Sequence, residues 1–291
     1  MATTPTELLA AATLAYENPD FLNSTDARMV RILSEYLEPL ARFRQQHIQD
    51  TVVFFGSART PSPEQMAGTP AAGLDAHPHQ NHLDAITEQE MVGYYQDARK
   101  LAYLLTEWSL GLHSTRHRFV VTSGGGPGIM EAANRGAAEA GGKTIGLNIR
   151  LPFEQHPNPF ITPELSFEFH YFFMRKYWFA YLAKGLVVFP GGFGTLDEMF
   201  EILTLSQTQK LSKKTGIVIY GSEYWGKAIN LDVFVEKGTI SPEDRNLFQF
   251  ADTPEQAFAL LRDGLIHNHL ERERHTSESE IEVPEITRTT R

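Results

Sequence analysis

Residues Leu186 to Glu201, LVVFPGGFGTLDEMFE, constrain the fold more than any other stretch of the chain. A short apolar run, Leu186 to Phe189, ends at Pro190. Gly191, Gly192 and Gly194 crowd the next turn, and Thr195 opens an amphipathic helix. The pattern is a strand, a turn nearly free of side chains, and a helix N-terminus. In α/β proteins free backbone N–H groups and the positive end of a helix dipole converge at such a turn and hold phosphate. Glu198, one turn into the helix, is the first candidate for chemistry. Thr195-Leu-Asp-Glu198 also fits a capping box, in which Thr195 caps the helix and Glu198 answers back to the N-cap N–H. A cap does not need three glycines before it, whereas close approach of a ligand to the backbone does.

The surrounding chain alternates strand and helix. Residues 6 to 17 and 25 to 49 read as helical, with Met29, Ile32, Leu33, Tyr36, Leu37 and Leu40 at three- and four-residue spacing and Pro39 expected to kink or break the second helix. Strands are expected at 51–55, 119–122, 144–149, 167–171, 186–189 and 216–220. Helices are expected at 88–108, after Gly128, and at 174–184, 196–210, 224–237 and 254–263. This order predicts an α/β, Rossmann-like, doubly wound parallel sheet over 51–269, behind an N-terminal helical extension, 1–50. Residues 60–87, rich in Pro and Gly, read as a polar insertion; His77, His79 and His82 there lack the partners of a metal site. From 270 to 291 the chain is charged and poor in apolar residues, a tail expected to be disordered.

A second glycine turn, Gly124-Gly-Gly-Pro-Gly128, follows the strand at 119–122. Both turns fall at carboxyl ends of strands, the edge where such sheets bind ligands, and two phosphate-type turns on one edge suggest a nucleotide. The GxGxxG dinucleotide fingerprint is not met, since neither Ile129 nor Met130 is glycine. Arg175 and Lys176 lie on the helix before the central stretch, and a guanidinium suits phosphate or ribose. They point about 100° apart and need not face one site. The neighbouring aromatics, Tyr171 to Phe173 and Tyr177 to Phe179, read as core and dimer packing rather than a base-stacking platform.

Composition excludes several classes. The 291 residues include no cysteine, which removes disulfides, thiolate catalysis and Cys-ligated zinc, and fits a reducing cytoplasm. The formal charge of −10 argues against nucleic acid or a membrane surface as partner. The first 20 residues lack the basic and apolar regions of a signal peptide, and no run approaches a membrane span.

With these residues in hand, the chain resembles the LOG family, the cytokinin-activating nucleoside 5'-monophosphate phosphoribohydrolases long mislabelled as lysine decarboxylases. The resemblance rests on Gly56-Ser57, Ser123 to Met130, Arg175-Lys176 and Pro190 to Glu198, in that order. It implies a Rossmann-like homodimer with active sites near the subunit interface and with no cofactor. It further implies Arg175 and Glu198 as the catalytic pair. Gly56, Ser57, Gly125, Gly126, Lys176, Gly191, Gly192, Gly194, Thr195, Thr204 and Glu154 would then bind substrate. The histidine that many members carry two residues before the arginine is Phe173 here. The N-terminal extension and the 60–87 insertion are similar to longer bacterial members.

The expected reaction cleaves the base–ribose bond of an AMP-type or cytokinin-type nucleotide to free base and ribose 5-phosphate. A carboxylate beside an oxocarbenium-like ribose stabilises developing positive charge and orients water. A pyridoxal decarboxylase would need a Schiff-base lysine with a phosphate cup and a carboxylate for the ring nitrogen, and Lys176 has no such setting. The alternative is a non-catalytic nucleotide or molybdenum-cofactor carrier on the same fold.

Overall fold

The computed structural model describes residues 12–67, 85–151, 156–211 and 214–271. Helices α1 (Pro19–Asn23) and α2 (Arg28–Gln45) precede β1 (Thr51–Phe55), α3 (Pro63–Met66), α4 (Ala85–Leu110), β2 (Val120–Ser123) and α5 (Ile129–Glu139). There follow β3 (Thr144–Ile149), β4 (Ser166–Phe169), α6 (Phe172–Leu182), β5 (Ala183–Val188) and α7 (Phe193–Gln207). The described chain ends with β6 (Gly216–Tyr220), α8 (Ser222–Ala228), α9 (Asp232–Glu236), β7 (Gln249–Ala251) and α10 (Pro254–Leu265).

The seven strands form one sheet in the order β4-β3-β2-β1-β5-β6-β7, and every pair is parallel. A parallel sheet covered on both faces calls for strands apolar at every position, and TVVFF in β1 is buried throughout. Its alternate residues serve two cores. Val53 and Phe55 pack with residues of α2, α6 and α7, while Val52 and Phe54 pack with α4, α5 and α10. Each such side chain contributes roughly 1.5–3 kcal/mol by leaving water. The chain winds outward from β1 to β4, returns to β5 beside β1, and winds outward again to β7. The switch between the two halves therefore lies between β1 and β5, where doubly wound sheets open a crevice at their carboxyl edge.

Three expectations are corrected, and one strand was not expected. Pro39 does not end α2, which runs on to Gln45. Proline removes the N–H that would bond the carbonyl four residues earlier, and that carbonyl, on Glu35, instead accepts the indole N–H of Trp178 at 2.9 Å. The helix expected over 224–237 is divided: Ile229 is extended and the Asn230 side chain accepts the Asp232 N–H at 3.2 Å, a local bond that competes with helix. Ala183 and Lys184 belong to β5 rather than to the preceding helix. Strand β7, three residues long, had no apolar run to mark it. His77, His79, His82, most of the 60–87 insertion, Glu154 and the tail from residue 272 lie outside the described residues. Among the described residues no helix is long and apolar enough to cross a membrane, and no cluster of metal-ligating side chains forms.

Candidate active site

Three turns meet at the switch point, and backbone hydrogen bonds tie them together. The Ser57 N–H, after β1, donates to the Pro190 carbonyl, after β5, at 3.0 Å; the Ile129 N–H, after β2, donates to the Ser57 carbonyl at 3.1 Å. Glycine is required at the seams. Gly128 has φ +67 and lies against the Ser57 and Ala58 backbone, while a Cβ at Gly56 would come within 2.6 Å of the Ile129 side chain.

Helix α7 begins earlier than its sequence suggested. Its N-cap is Gly192, and no side chain caps it. Thr195 is thus the third helical residue, and the capping-box reading of Thr195 and Glu198 is overturned. The physical reason is that the side-chain-free residues 192 and 194 let the backbone turn into helix three residues sooner, placing the Thr195 side chain against Gly191. The first free N–H groups of the helix, on Phe193, Gly194 and Thr195, have no intrahelical acceptor. Gly192 and Gly194 are exposed, with open space where a Cβ would stand. This is a 15-residue helix whose positive end faces the switch point uncapped.

Glu198 turns inward to Arg175. Arg175 Nη1 donates to Glu198 Oε1 at 2.9 Å, and Nε donates to the Leu147 carbonyl at 2.7 Å. The guanidinium also stacks over the Phe179 ring at 4.9 Å. The pair is well shielded, the side chains being 10% and 15% exposed. Burial raises the Glu198 carboxyl to about 6; Arg175 and Lys176 oppose the rise, while Asp197 and Glu201 add to it. Burial lowers the Arg175 pKa as well, with Glu198 restoring the charged form. At neutral pH the site therefore holds a carboxylate poised to take a proton, locked to a cation that cannot drift.

Gly124 makes room for that cation, since a Cβ there would lie 2.5 Å from Arg175 Nη2. Gly125, at φ +76, lies against the Asn148 amide. Asn158, which sequence reasoning missed, holds this turn from outside: its side-chain amide donates to the carbonyls of Gly125 (3.1 Å) and Gly126 (3.0 Å) and to Asn134 Oδ1 (2.8 Å). Its only local signal was an Asn-Pro pair, a turn marker. Glu35 was missed too. Its carboxylate accepts the N–H groups of His170 (2.7 Å) and Tyr171 (3.2 Å), so α2 fixes the start of the helix that carries Arg175.

Two expected contacts point elsewhere. Lys176 Nζ binds Asp197 (2.9 Å) and Glu201 (3.0 Å), bracing α6 against α7 from the outer side. The Thr204 hydroxyl donates to the Phe200 carbonyl at 2.7 Å on the exposed side of α7. The structure thus brings together Gly56, Ser57, Gly125, Gly126, Arg175, Gly191, Gly192, Gly194, Thr195 and Glu198, and leaves Lys176 and Thr204 to other partners.

A family model described as "Possible lysine decarboxylase" matches residues 130–261. Curated relatives repeat one theme at low identity. A "probable cytokinin riboside 5'-monophosphate phosphoribohydrolase" of Arabidopsis thaliana is 27% identical over 144 residues, half of this chain and 71% of its own length. A probable rice enzyme of that name is 27% identical over 147 residues, covering 47% of this chain and 64% of its own length. Another Arabidopsis thaliana enzyme so named is 27% identical over 164 residues, 52% of this chain and 69% of its own. Among solved structures, a molybdenum cofactor binding protein from Rippkaea orientalis is 16% identical with a TM-score of 0.43, over 74% of this chain and 96% of that one. A Moco carrier protein from Chlamydomonas reinhardtii is 18% identical with a TM-score of 0.43, over 75% and 99%. Likeness at that level carries no argument about a ligand.

Proposed function

We propose, on the premise that this chain is similar to the LOG family, that it is a nucleoside 5'-monophosphate N-glycosidase. The observation that carries the reading is the shielded Arg175–Glu198 pair beside the uncapped N-terminus of α7 at the sheet's switch point. In this reading the 5'-phosphate lies on the N–H groups of Phe193, Gly194 and Thr195, and the ribose reaches inward to Glu198. Holding the phosphate turns binding energy into positioning of C1'. As the C1'–N bond breaks, the Glu198 carboxylate stabilises positive charge on the ribose and orients a water. The water oxygen bonds to C1' and one of its protons passes to Glu198; the C1'–N electron pair leaves with the base, which takes up a proton from solvent, and Glu198 then returns its proton to solvent. Arg175 keeps the carboxylate in place and ionised. The base, whether of AMP type or cytokinin type, lies beyond these contacts.

A lysine decarboxylase reaction through pyridoxal phosphate does not fit these residues, because the Lys176 ammonium is held by two carboxylates. We also read the chain as a homodimer. Met29, Leu33 and Leu37 form an exposed apolar row on α2, and Phe172 and Phe173 are each 54% exposed. Light scattering in solution should give twice the chain mass; a monomer would remove this part of the reading.

The test is release of ribose 5-phosphate from AMP, GMP, CMP, UMP and isopentenyl-AMP. Turnover of at least one is expected, and Glu198→Gln should lower kcat by about 10²–10⁴-fold in a protein that still unfolds cooperatively. Binding across the panel without turnover would replace the enzyme by a nucleotide or cofactor carrier. Full activity in the variant would remove Glu198 from the chemistry.

A further inference from the structure

The opposite, amino edge of the sheet carries a second charged recess. Where α4 ends and β2 and β3 begin, a cavity of about 140 Å³ is lined by Thr106, His113, Arg116, His117, Arg118 and Lys143, among others, with no carboxylate in its wall. On a chain of formal charge −10 this local excess of cations and imidazoles is an exception that calls for a cause.

Internal pairing accounts for part of it. Arg118 is matched by buried Asp50, at 2.8 Å, and Asp50 also accepts the Phe119 N–H at 2.6 Å, so this pair shapes the wall without adding net charge. Lys143 donates to the Gln46 side chain at 2.7 Å and to its carbonyl at 3.3 Å, next to the end of α2. Neither acceptor carries a charge. Arg116 is exposed and makes no ion pair among the described residues. Thr106 is 6% exposed, and its hydroxyl oxygen is closed off from the recess, so this residue shapes the wall. His117 sits among cations: burial lowers its pKa first, then Lys143 and His47. The turn carrying these groups is pinned, with the His117 N–H donating to the His47 carbonyl at 2.8 Å.

We propose that this recess binds a phosphate-type oxyanion, with Arg116 and Lys143 supplying charge and His113 and His117 supplying hydrogen bonds. A recess of about 140 Å³ is roomy enough for a phosphate or diphosphate group. The site is separate from Glu198 and Arg175, and its test does not depend on their role.

The full-length protein would be titrated with inorganic pyrophosphate while the imidazole NMR signals of His113 and His117 are followed. A saturable shift is expected, and Arg116→Gln/Lys143→Gln should weaken it about tenfold or more, with the unfolding midpoint unchanged. Parallel titrations with inorganic phosphate and a nucleoside triphosphate identify the source: tighter binding of the triphosphate would assign the group to a nucleotide, tighter binding of pyrophosphate to a free ion. Either supports the site. The absence of a saturable shift would overturn it, as would an equal shift with sodium chloride at matched ionic strength, the mark of an adventitious ion only. Unchanged binding with lost stability in the double variant would do so too, assigning these cations to the nearby helix ends.

Discussion

The two glycine-rich turns look alike in sequence and do opposite work. In the turn after β2 the space beside the backbone is filled: the guanidinium of Arg175 lies against Gly124, the Asn148 amide against Gly125, and Ser57 against Gly128. In the turn after β5 only Gly191 is packed, against Thr195, while Gly192 and Gly194 face open space. One turn uses glycine to admit the protein's own side chains. The other leaves its N–H groups bare. Glycine content therefore says that something comes close to the backbone; only the three-dimensional setting says whether it is the protein or a ligand.

The sharpest way to break this comparison is to add one methyl group to each turn. Gly125→Ala, buried at φ +76 and facing Asn148, should cost about 2–4 kcal/mol from backbone strain and overlap together. The midpoint of urea unfolding would read the loss. A neutral result would mean that the turn after β2 is not packed as described.

The parallel sheet was legible because its strands are buried on both faces and so read as plain apolar runs, as in TVVFF and GIVIY. β7 was not, being three residues with an exposed start. At the site, Arg175 and Glu198 could be named from motif spacing, but their contact spans 23 residues and depends on α6 meeting α7 on one face of the sheet. The fate of Lys176 hinged on the same meeting, which sets it opposite Asp197 and Glu201. Pro39 misled for a related reason: the carbonyl it frees is satisfied by Trp178, 143 residues away in sequence from Glu35. Local rules describe what a residue does to its own segment. They are silent on partners that tertiary packing supplies.

A smaller effect separates the carboxylate from its surroundings by pH. Glu198 moves from 4.5 when unfolded to about 6 in the folded chain. The folded state thus holds this proton more tightly, so the contribution to stability is fully present below pH 4.5 and is lost as pH rises through 6. The loss amounts to about 2 kcal/mol. Activity should run the other way, with kcat/KM rising through pH 6 as the carboxylate forms. Unfolding midpoints of the wild type and of Glu198→Gln between pH 4 and 7, beside a rate profile, test both signs. Parallel changes in the two quantities would show that another group controls one of them.

The mildest change is the counterpart of Gly125→Ala in the open turn. Gly194 is the second residue of α7 and nothing lies within 4 Å of the position its Cβ would take. Gly194→Ala should therefore leave stability within about 1 kcal/mol, on the favourable side, since alanine suits a helix better than glycine. The same methyl stands beside the N–H groups proposed to hold phosphate. It should raise KM for the nucleotide about tenfold and lower kcat as well, since the phosphate contact both binds the nucleotide and positions C1'. Loss of stability comparable to that of Gly125→Ala would erase the difference between the turns. Unchanged KM would place the phosphate elsewhere along the carboxyl edge, and the uncapped end of α7 would then lose its role in the proposed reaction.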